Sequence, residues 1–415
     1  MTNVGVVMTQ REVRGVVASL RTRNRRCARA WLRCYVRRGD ESHDVRHPHS
    51  SRLIWRYLVF ALSVGAARPD PSALAQSGGT ASILALRQLL LAHAFTALDS
   101  AFRAREATSH GSVAAEAAYQ YAFDAFSSGD TLLHAHLDAW IDAEPDVATA
   151  RVARGVFFLR LATAARELRP DEELSDEARR ESRRWVALAE ADLRAARKLD
   201  PQGIMPLALI LEIAPIDGSY SRARSVLDSA LRERPTSVLL RVQLLELLSP
   251  RHYGSDSAMR NFVAAAEPHV ARQPGLALLR GVADLERGIA LANADKPVEA
   301  IRAYSHAIAS GDYWRFFELR GMAYMQAGEF DCARADFTRA LASRPGRASL
   351  LSWRSLSHAS LAKRGDKSAG AAHWALALAD LRLAAMLDVS DYKALGITGG
   401  QVDSLFTPAI PKRAP

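Results

Sequence analysis

Residues 314–345 read WRFFELRGMAYMQAGEFDCARADFTRALASRP. Two helix-forming segments flank Gly328, where the turn between them favours a residue without a side chain. Gly321 and Ala333 are small, so they suit positions where two facing helices approach closely. Large apolar groups fill the remaining space, and Pro345 stops the second segment. This stretch therefore predicts an antiparallel pair of helices.

The same spacing recurs along the chain, which indicates a repeat rather than an isolated hairpin. Gly288, Ala300, Tyr304 and Ala307 lie 33 residues before Gly321, Ala333, Phe337 and Ala340. Further upstream, residues 218–235 match the second half of the unit, and residues 189–201 match it again. The segments 119–145 and 238–274 are weaker copies.

The unit resembles the tetratricopeptide repeat, most clearly over residues 281–347, with degenerate copies over about 114–391. The resemblance implies an all-α fold, a right-handed α-solenoid of about seven stacked antiparallel helix pairs. We expect the solenoid to span residues 80–391 and a flexible C-terminal tail to span 392–415. The residues that carry the resemblance are Phe317, Gly321, Tyr324, Gly328, Phe330, Ala333, Phe337, Ala340, Pro345, Gly288, Ala300, Tyr304 and Ala307.

Two insertions interrupt the repeat. About 22 extra residues lie between Gly155 and the second helix that ends near Pro201, and they include the charged stretch 171–184. About ten extra residues lie near 363–371. We expect the first insertion to be either a longer helical hairpin or a loop.

Charge separates the N-terminal region from the repeats. The net charge is +10, yet residues 1–75 alone hold 14 arginines, no lysine and 5 acidic residues. The chain from Gln76 onward is almost neutral, with 41 basic and 40 acidic residues. Its composition therefore gives no support for nucleic-acid binding by the repeats.

Residues 51–75 resemble a secretory signal peptide. Arg52 and Arg56 precede a short apolar core, and the small residues Ala73 and Ala75 predict cleavage before Gln76. The core is too short to span a membrane. We therefore predict a secreted or periplasmic protein, with a cytoplasmic location as the alternative.

The position of this segment, about fifty residues into the chain, leaves two interpretations of residues 1–50. Either translation starts near Leu53, or residues 1–50 form a basic, disordered arm. Such an arm would bind anionic lipid or nucleic acid through its arginines and aromatic residues.

Sites for chemistry are not evident. Cys332 is the one cysteine after Gln76, and no histidine partner is placed beside it by the repeat. The sequence lacks a phosphate-binding glycine loop, a His-Glu-x-x-His run and a nucleophile elbow. We predict no enzyme activity, no cofactor, no metal and no small-molecule substrate.

A partner surface is the remaining functional hypothesis. In the tetratricopeptide repeat family the first helices of successive pairs line a concave groove, and the resemblance implies the same here. The candidate groove residues are Arg315, Glu318, Met322, Met325, Gln326, Leu285, Glu286, Ile289, Asn293 and Trp353. The alternative interpretation is that the apolar members pack between repeats.

We therefore predict a scaffold that binds a peptide or helix of an unidentified protein. A second hypothesis is a structural module that associates with other copies of itself. A third is an adaptor that reaches membranes or nucleic acid through the basic N-terminal arm.

Overall fold

The computed structural model describes residues 78–109, 112–166, 174–220, 223, 225–226, 231–232, 237–252, 254–365 and 367–388. The predicted signal segment 51–75, with its cleavage residues Ala73, Ala75 and Gln76, lies outside these ranges. So do the basic region 1–50 and the predicted tail 392–415.

The described chain is all-α, which confirms the predicted fold class. Helices α1 to α4 are Gly78–Leu91, Phe95–Thr108, Val113–Gln120 and Leu133–Ala143, and the 3₁₀-helix Tyr121–Phe126 follows α3. Helices α5 to α9 are Ala148–Ala165, Asp176–Leu199, Ile204–Asp217, Val238–Leu247 and Asp256–Ala266. Helices α10 to α15 are Leu278–Asn293, Pro297–Ala309, Trp314–Ala327, Phe330–Ser343, Ala348–Ala362 and Lys367–Leu387. No described helix is both long and apolar enough to cross a membrane.

Helices α12 and α13 form the pair predicted from residues 314–345. Gly328 ends α12 with a left-handed backbone, φ 83°, a conformation that glycine adopts without strain. Gly321 faces the ring of Phe337, and a Cβ built at residue 321 would lie 2.8 Å from that ring. Phe337 is fully buried. The small residue thus allows the close approach that was expected of it.

The preceding pair, α10 and α11, repeats this arrangement. Gly288 faces the ring of Tyr304, which is fully buried, and Ala300 and Ala307 are also fully buried. In the pair α5 and α6, Gly155 takes the same place opposite Leu193. The recurrence of one contact at three pairs confirms the repeat.

The predicted insertions lengthen two pairs at their turns. Helices α12 and α13 have 14 residues each, whereas α5 has 18 and α6 has 24. Helix α15 has 21 residues. The first insertion is thus a longer helical hairpin, although residues 167–173 of its turn lie outside the described residues.

An arginine–aspartate clamp, which was not predicted from the repeat spacing, joins the two helices in three of the pairs. Nε and Nη2 of Arg320 donate to the two carboxylate oxygens of Asp336, both at 2.8 Å. Arg154 binds Asp192 in the same way, as does Arg354 with Asp380. The partners are 16, 38 and 26 residues apart. The two longer separations exceed the first by the lengths of the two insertions.

In each clamp the arginine directly precedes the small residue of the first helix, and the aspartate directly precedes the large residue of the second. The clamp therefore fixes the register at which small and large residues meet. The hydrogen bonds to Asp192 and Asp336 raise the pKa of the Arg154 and Arg320 guanidinium groups above its usual value.

The pairs stack in order, because α11 packs against α12 and α13 packs against α14. The array is less regular between residues 204 and 277. Here α8 contacts α7 and α10, and α9 contacts α10. The weak copy expected at 119–145 is divided between α3, the 3₁₀-helix and α4, and α3 packs against α8.

Candidate functional site

The described residues 78–109 and 112–126 lie along one edge of the array. We call this segment, which comprises α1 to α3 and the 3₁₀-helix, the strap. In a stack of antiparallel helix pairs, the second helix of one pair ends at the same edge of the stack at which the first helix of the following pair begins. We call this the joining edge. The strap contacts α8, α13 and α15, and the side chains below meet those helices where they begin or end.

The strap carboxylate Glu116 binds the N-terminus of α8. Its Oε2 accepts hydrogen bonds from the backbone N–H groups of Val238 and Leu239, at 3.1 and 3.4 Å. Its Oε1 accepts one from the hydroxyl of Ser237. A helix N-terminus presents unpaired donors and partial positive charge, so a carboxylate stabilises it. Burial raises the pKa of Glu116, and the bonds from Ser237, Leu239 and Val238 partly offset that rise.

A second contact joins the 3₁₀-helix to the loop between α13 and α14. Nε and Nη2 of Arg344 donate to the two oxygens of Asp124, both at 2.9 Å. The same guanidinium lies over the rings of Tyr121 and Trp314, 4.6 and 4.7 Å from their centroids. Nε1 of Trp314 also donates to the hydroxyl of Tyr121 at 3.0 Å.

This contact combines charge with aromatic packing. Burial by itself lowers the pKa of Arg344, but the facing Asp124 carboxylate more than offsets it, and the pKa lies above its usual value. A bidentate pair held between aromatic rings is both directional and well shielded from water. It therefore fixes the strap at the start of α12 and the end of α13.

Helix α1 extends the strap to the last pair. The hydroxyl of Thr80 donates to the carbonyl of Pro345 at 2.8 Å. The guanidinium of Arg87 donates to carbonyls at the C-terminus of α15. The strap thus reaches from α8 to α15 along the joining edge.

An aromatic cluster anchors the strap to α4. The ring centroids of Phe102 and Phe123 are 4.5 Å apart, and those of Phe126 and Trp140 are 5.9 Å apart. All four side chains are at most 2% exposed. Since burying each such group stabilises the fold by about 1.5–3 kcal/mol, the strap is a part of the core and not a loosely bound peptide.

The candidate groove residues lie mostly inside the molecule. Seven are buried, namely Arg315, Glu318, Met322, Met325, Gln326, Leu285 and Ile289. Glu286, Asn293 and Trp353 are half-buried.

Their contacts are with the chain itself. Nη1 of Arg315 binds Glu246 of α8 at 2.9 Å, and the hydroxyl of Ser357 on α14 donates to the sulfur of Met325 at 3.2 Å. The structure does not test the prediction that the candidate groove residues contact a partner. Their burial does mean that a partner could contact the seven buried residues only if neighbouring helices moved.

Cys332 is exposed at the start of α13. Among the described residues, no three His, Cys, Asp or Glu side chains are grouped so that they could hold a metal ion.

The contacts between strap and array had no signal in the sequence. Glu116 and Ser237 are 121 residues apart, and Asp124 and Arg344 are 220 apart. Neither pair follows from the repeat spacing. The clamps did have a signal, because an arginine before the small residue and an aspartate before the large one recur in three pairs.

Comparisons with known proteins identify one family model and a solved structure. The family model, described as "Domain of unknown function (DUF4034)", matches residues 82–214, which is less than half of the chain. The match covers most of the strap together with α4, α5, α6 and most of α7. No curated protein matches the chain by sequence.

One solved structure, "Crystal structure of APC/C hetero-tetramer Cut9-Hcn1", is similar to this chain at 14% sequence identity, with a TM-score of 0.31. The similarity covers 68% of this chain and 48% of that chain. The chain thus spans about half the length of the solved chain that it matches. A TM-score this low bears on neither the fold nor the function.

Proposed function

We propose that this chain is a non-enzymatic scaffold that binds a peptide or helix of another protein. The observation that supports this proposal is the strap itself. The array already holds a helical segment through side chains and backbone groups of several successive pairs. The groups that hold the strap are occupied, so a partner would bind through other donors, acceptors and aromatic groups of the array.

The concave face remains the proposed place of binding. Of the ten candidate groove residues, Glu286, Asn293 and Trp353 are half-buried. The carboxylate of Glu286 is already bound by Arg251, so Asn293 and Trp353 are the residues that we propose a partner reaches while the array keeps its present form. The ring of Trp353 stacks on Phe337, with centroids 5.9 Å apart. Half-buried tryptophans are common anchors in protein interfaces.

The compartment is part of the proposal as well. A secreted or periplasmic location rests on residues 51–75, which precede the described chain. Neither this location nor the membrane or nucleic-acid role of residues 1–50 has support from the array.

The proposal can be tested by selecting helical peptides from a display library against the purified full chain. Affinities would then be measured by fluorescence anisotropy for wild type, Trp353→Ala and Trp185→Ala. Trp185 is a matched control, because it is a half-buried tryptophan on α6. We expect the Trp353 variant to weaken binding about tenfold or more, as loss of an anchor does, and the Trp185 variant to bind normally.

Equal affinities for the two variants would contradict the proposed place of binding. Failure of every selected peptide to bind the folded chain would contradict the function itself. Sedimentation equilibrium of the same sample addresses the remaining partner, a second copy of the chain, because self-association makes the apparent mass depend on concentration.

A further inference from the structure

The two ends of the array meet at the C-terminus of α15. Nε of Arg160, on α5, donates to Oδ2 of Asp388 at 2.7 Å, and its Nη2 lies 2.5 Å from the same oxygen. Nη1 of Arg87, on α1, donates to the carbonyls of Met386 and Leu387, at 2.5 and 2.7 Å. The partners are 228 to 300 residues apart in sequence. These contacts therefore close the array into a turn.

Two further hydrogen bonds connect this junction to the 3₁₀-helix and to the loop after it. Nε of Arg87 donates to the carbonyl of Ala125 at 2.6 Å. Oδ1 of Asp388 accepts from the backbone N–H of Gly129 at 3.1 Å. Arg87, Arg160 and Asp388 are all buried, and Asp388 is only 2% exposed. One buried carboxylate thus holds three parts of the chain together.

The junction carries polar contacts in addition to apolar ones, since Leu383 and Leu387 near the same end of α15 belong to the apolar core. Neighbouring pairs meet along whole helices, with apolar groups between them, as α13 does with α14. At the junction, charged groups and backbone carbonyls make the contacts described above. A buried guanidinium that loses its carboxylate is costly to keep away from water. Water is close, because Met386 beside the junction is 46% exposed.

We propose that Arg87, Arg160 and Asp388 form a latch that keeps the array closed, and that losing the Asp388 charge opens the array there while the helix pairs stay folded. The consequence for a partner rests on the proposed function. Opening at the junction would make residues 125–129 and the C-terminal end of α15 accessible to a partner peptide, whereas Met325, which lies against α14, would stay buried.

Hydrogen exchange followed by mass spectrometry on the full chain tests the latch without any partner. The variant is Asp388→Asn, and the matched control is Asp312→Asn, which breaks the exposed ion pair with Arg339. We expect the Asp388 variant to exchange about tenfold faster than wild type at residues 125–129 and 384–388, with α12 and α13 unchanged. The Asp312 variant should exchange at the wild-type rate at residues 125–129, at residues 384–388 and in helices α12 and α13.

Two outcomes would overturn the latch. One is an Asp388 variant with unchanged exchange at residues 125–129 and 384–388. The other is faster exchange in every helix, because that indicates general destabilisation and no local opening. Small-angle scattering should agree with exchange by showing a larger radius of gyration for the open variant.

Two additional measurements keep the test decisive if Asp388→Asn fails to fold. Arg160→Lys, which keeps a positive charge facing Asp388, should exchange close to wild type at residues 384–388, whereas Arg160→Gln should exchange faster there; equal exchange in these two variants would count against the latch. In wild type, low denaturant should open residues 384–388 before α12 and α13. Opening of all these segments together would refute the latch. None of these results depends on whether a partner peptide exists, so failure of the latch and failure of the proposed function are distinguishable.

Discussion

Replacing Gly155, Gly288 and Gly321, which each face a large residue on the second helix of the same pair, by alanine should produce a graded series of stabilities. In each case two effects compete. Alanine in a helix interior is more stable than glycine by about 1 kcal/mol. An added methyl group that overlaps a packed neighbour costs about 1–3 kcal/mol. The sign of each result therefore depends on the space at that position.

The structure ranks the space at the three positions. At Gly155 the added Cβ would lie 3.1 Å from Cδ2 of Leu193, at the end of a flexible side chain that can shift. At Gly321 it would lie 2.8 Å from the Phe337 ring, which is fully buried. At Gly288 the overlap with the ring of Tyr304 is closer still.

We expect Gly155→Ala to stabilise the chain by up to about 1 kcal/mol, since the helix preference dominates. Gly321→Ala should destabilise it by about 1 kcal/mol and Gly288→Ala by about 2 kcal/mol or more, because the rings cannot move away. For a chain of this size, each 1 kcal/mol corresponds to a shift of roughly 1–2 °C in melting temperature.

Melting temperatures from differential scanning calorimetry measure the ranking, which is safer than absolute free energies because stacked repeats need not unfold in one step. A second background, Tyr304→Leu, provides the control. Without the ring, alanine at 288 should raise the melting temperature instead of lowering it. If Gly288→Ala melts as high as Gly155→Ala in the wild-type background, the proposed contact between residue 288 and the ring is wrong.

Three other predictions concern the clamps, acid stability and the N-terminus. A double-mutant cycle on Arg320→Ala and Asp336→Ala should give a coupling of about 1–3 kcal/mol, and additive effects in thermal unfolding would contradict the clamp. His358 should make the chain less stable as pH falls from about 6.5 to 3, since burial, with His373 and nearby arginines, lowers its pKa to about 3 while the unfolded side chain takes up a proton near 6.5. Denaturant titrations should therefore show His358→Gln with a smaller loss of stability than wild type over this range, and equal losses would refute the assignment. Intact-mass analysis of natively expressed protein should find Gln76 as the first residue, whereas Met1 would exclude cleavage.

The helix pairs could be predicted because their determinants are local. Gly321 and Phe337 are 16 residues apart, and the same pairing of a small and a large residue recurs at that spacing in Gly288 and Tyr304. The insertion lengths could be predicted as well, since an insertion shifts one half of the unit against the other without changing either half. The arginine–aspartate clamps agree with these insertion lengths, because their partners are 38 and 26 residues apart in the two interrupted pairs and 16 apart in the uninterrupted pair.

The strap could not be predicted, because its contacts depend on how the whole array curves. Glu116 has the appearance of an ordinary helix-surface residue in the sequence, yet it binds the N-terminus of α8. The burial of the candidate groove residues could not be predicted for the same reason, because it also depends on how neighbouring pairs pack. The family pattern places Met325 on a first helix, but the neighbouring α14 determines that it is buried. Curvature is the sum of small rotations between successive pairs, and repeat spacing alone does not give it.

The most direct test of the central claim, that the strap lies along the joining edge, is a disulfide between residues 79 and 345. A Cβ built at Gly79 lies 2.8 Å from Cβ of Pro345, so a small shift brings two cysteines to the 3.5–4.5 Å that a disulfide requires. The background would carry Cys27→Ser and Cys34→Ser. Native Cys332 is the control, because it lies 13 residues earlier, roughly 20 Å away along α13.

We predict that Gly79→Cys with Pro345→Cys forms the disulfide under mild oxidation, detected by peptide mass mapping, and that Gly79→Cys alone does not bond to Cys332. If residues 79 and 345 remain unlinked in the folded chain, or if residue 79 bonds to Cys332 equally well, the strap does not lie where we place it.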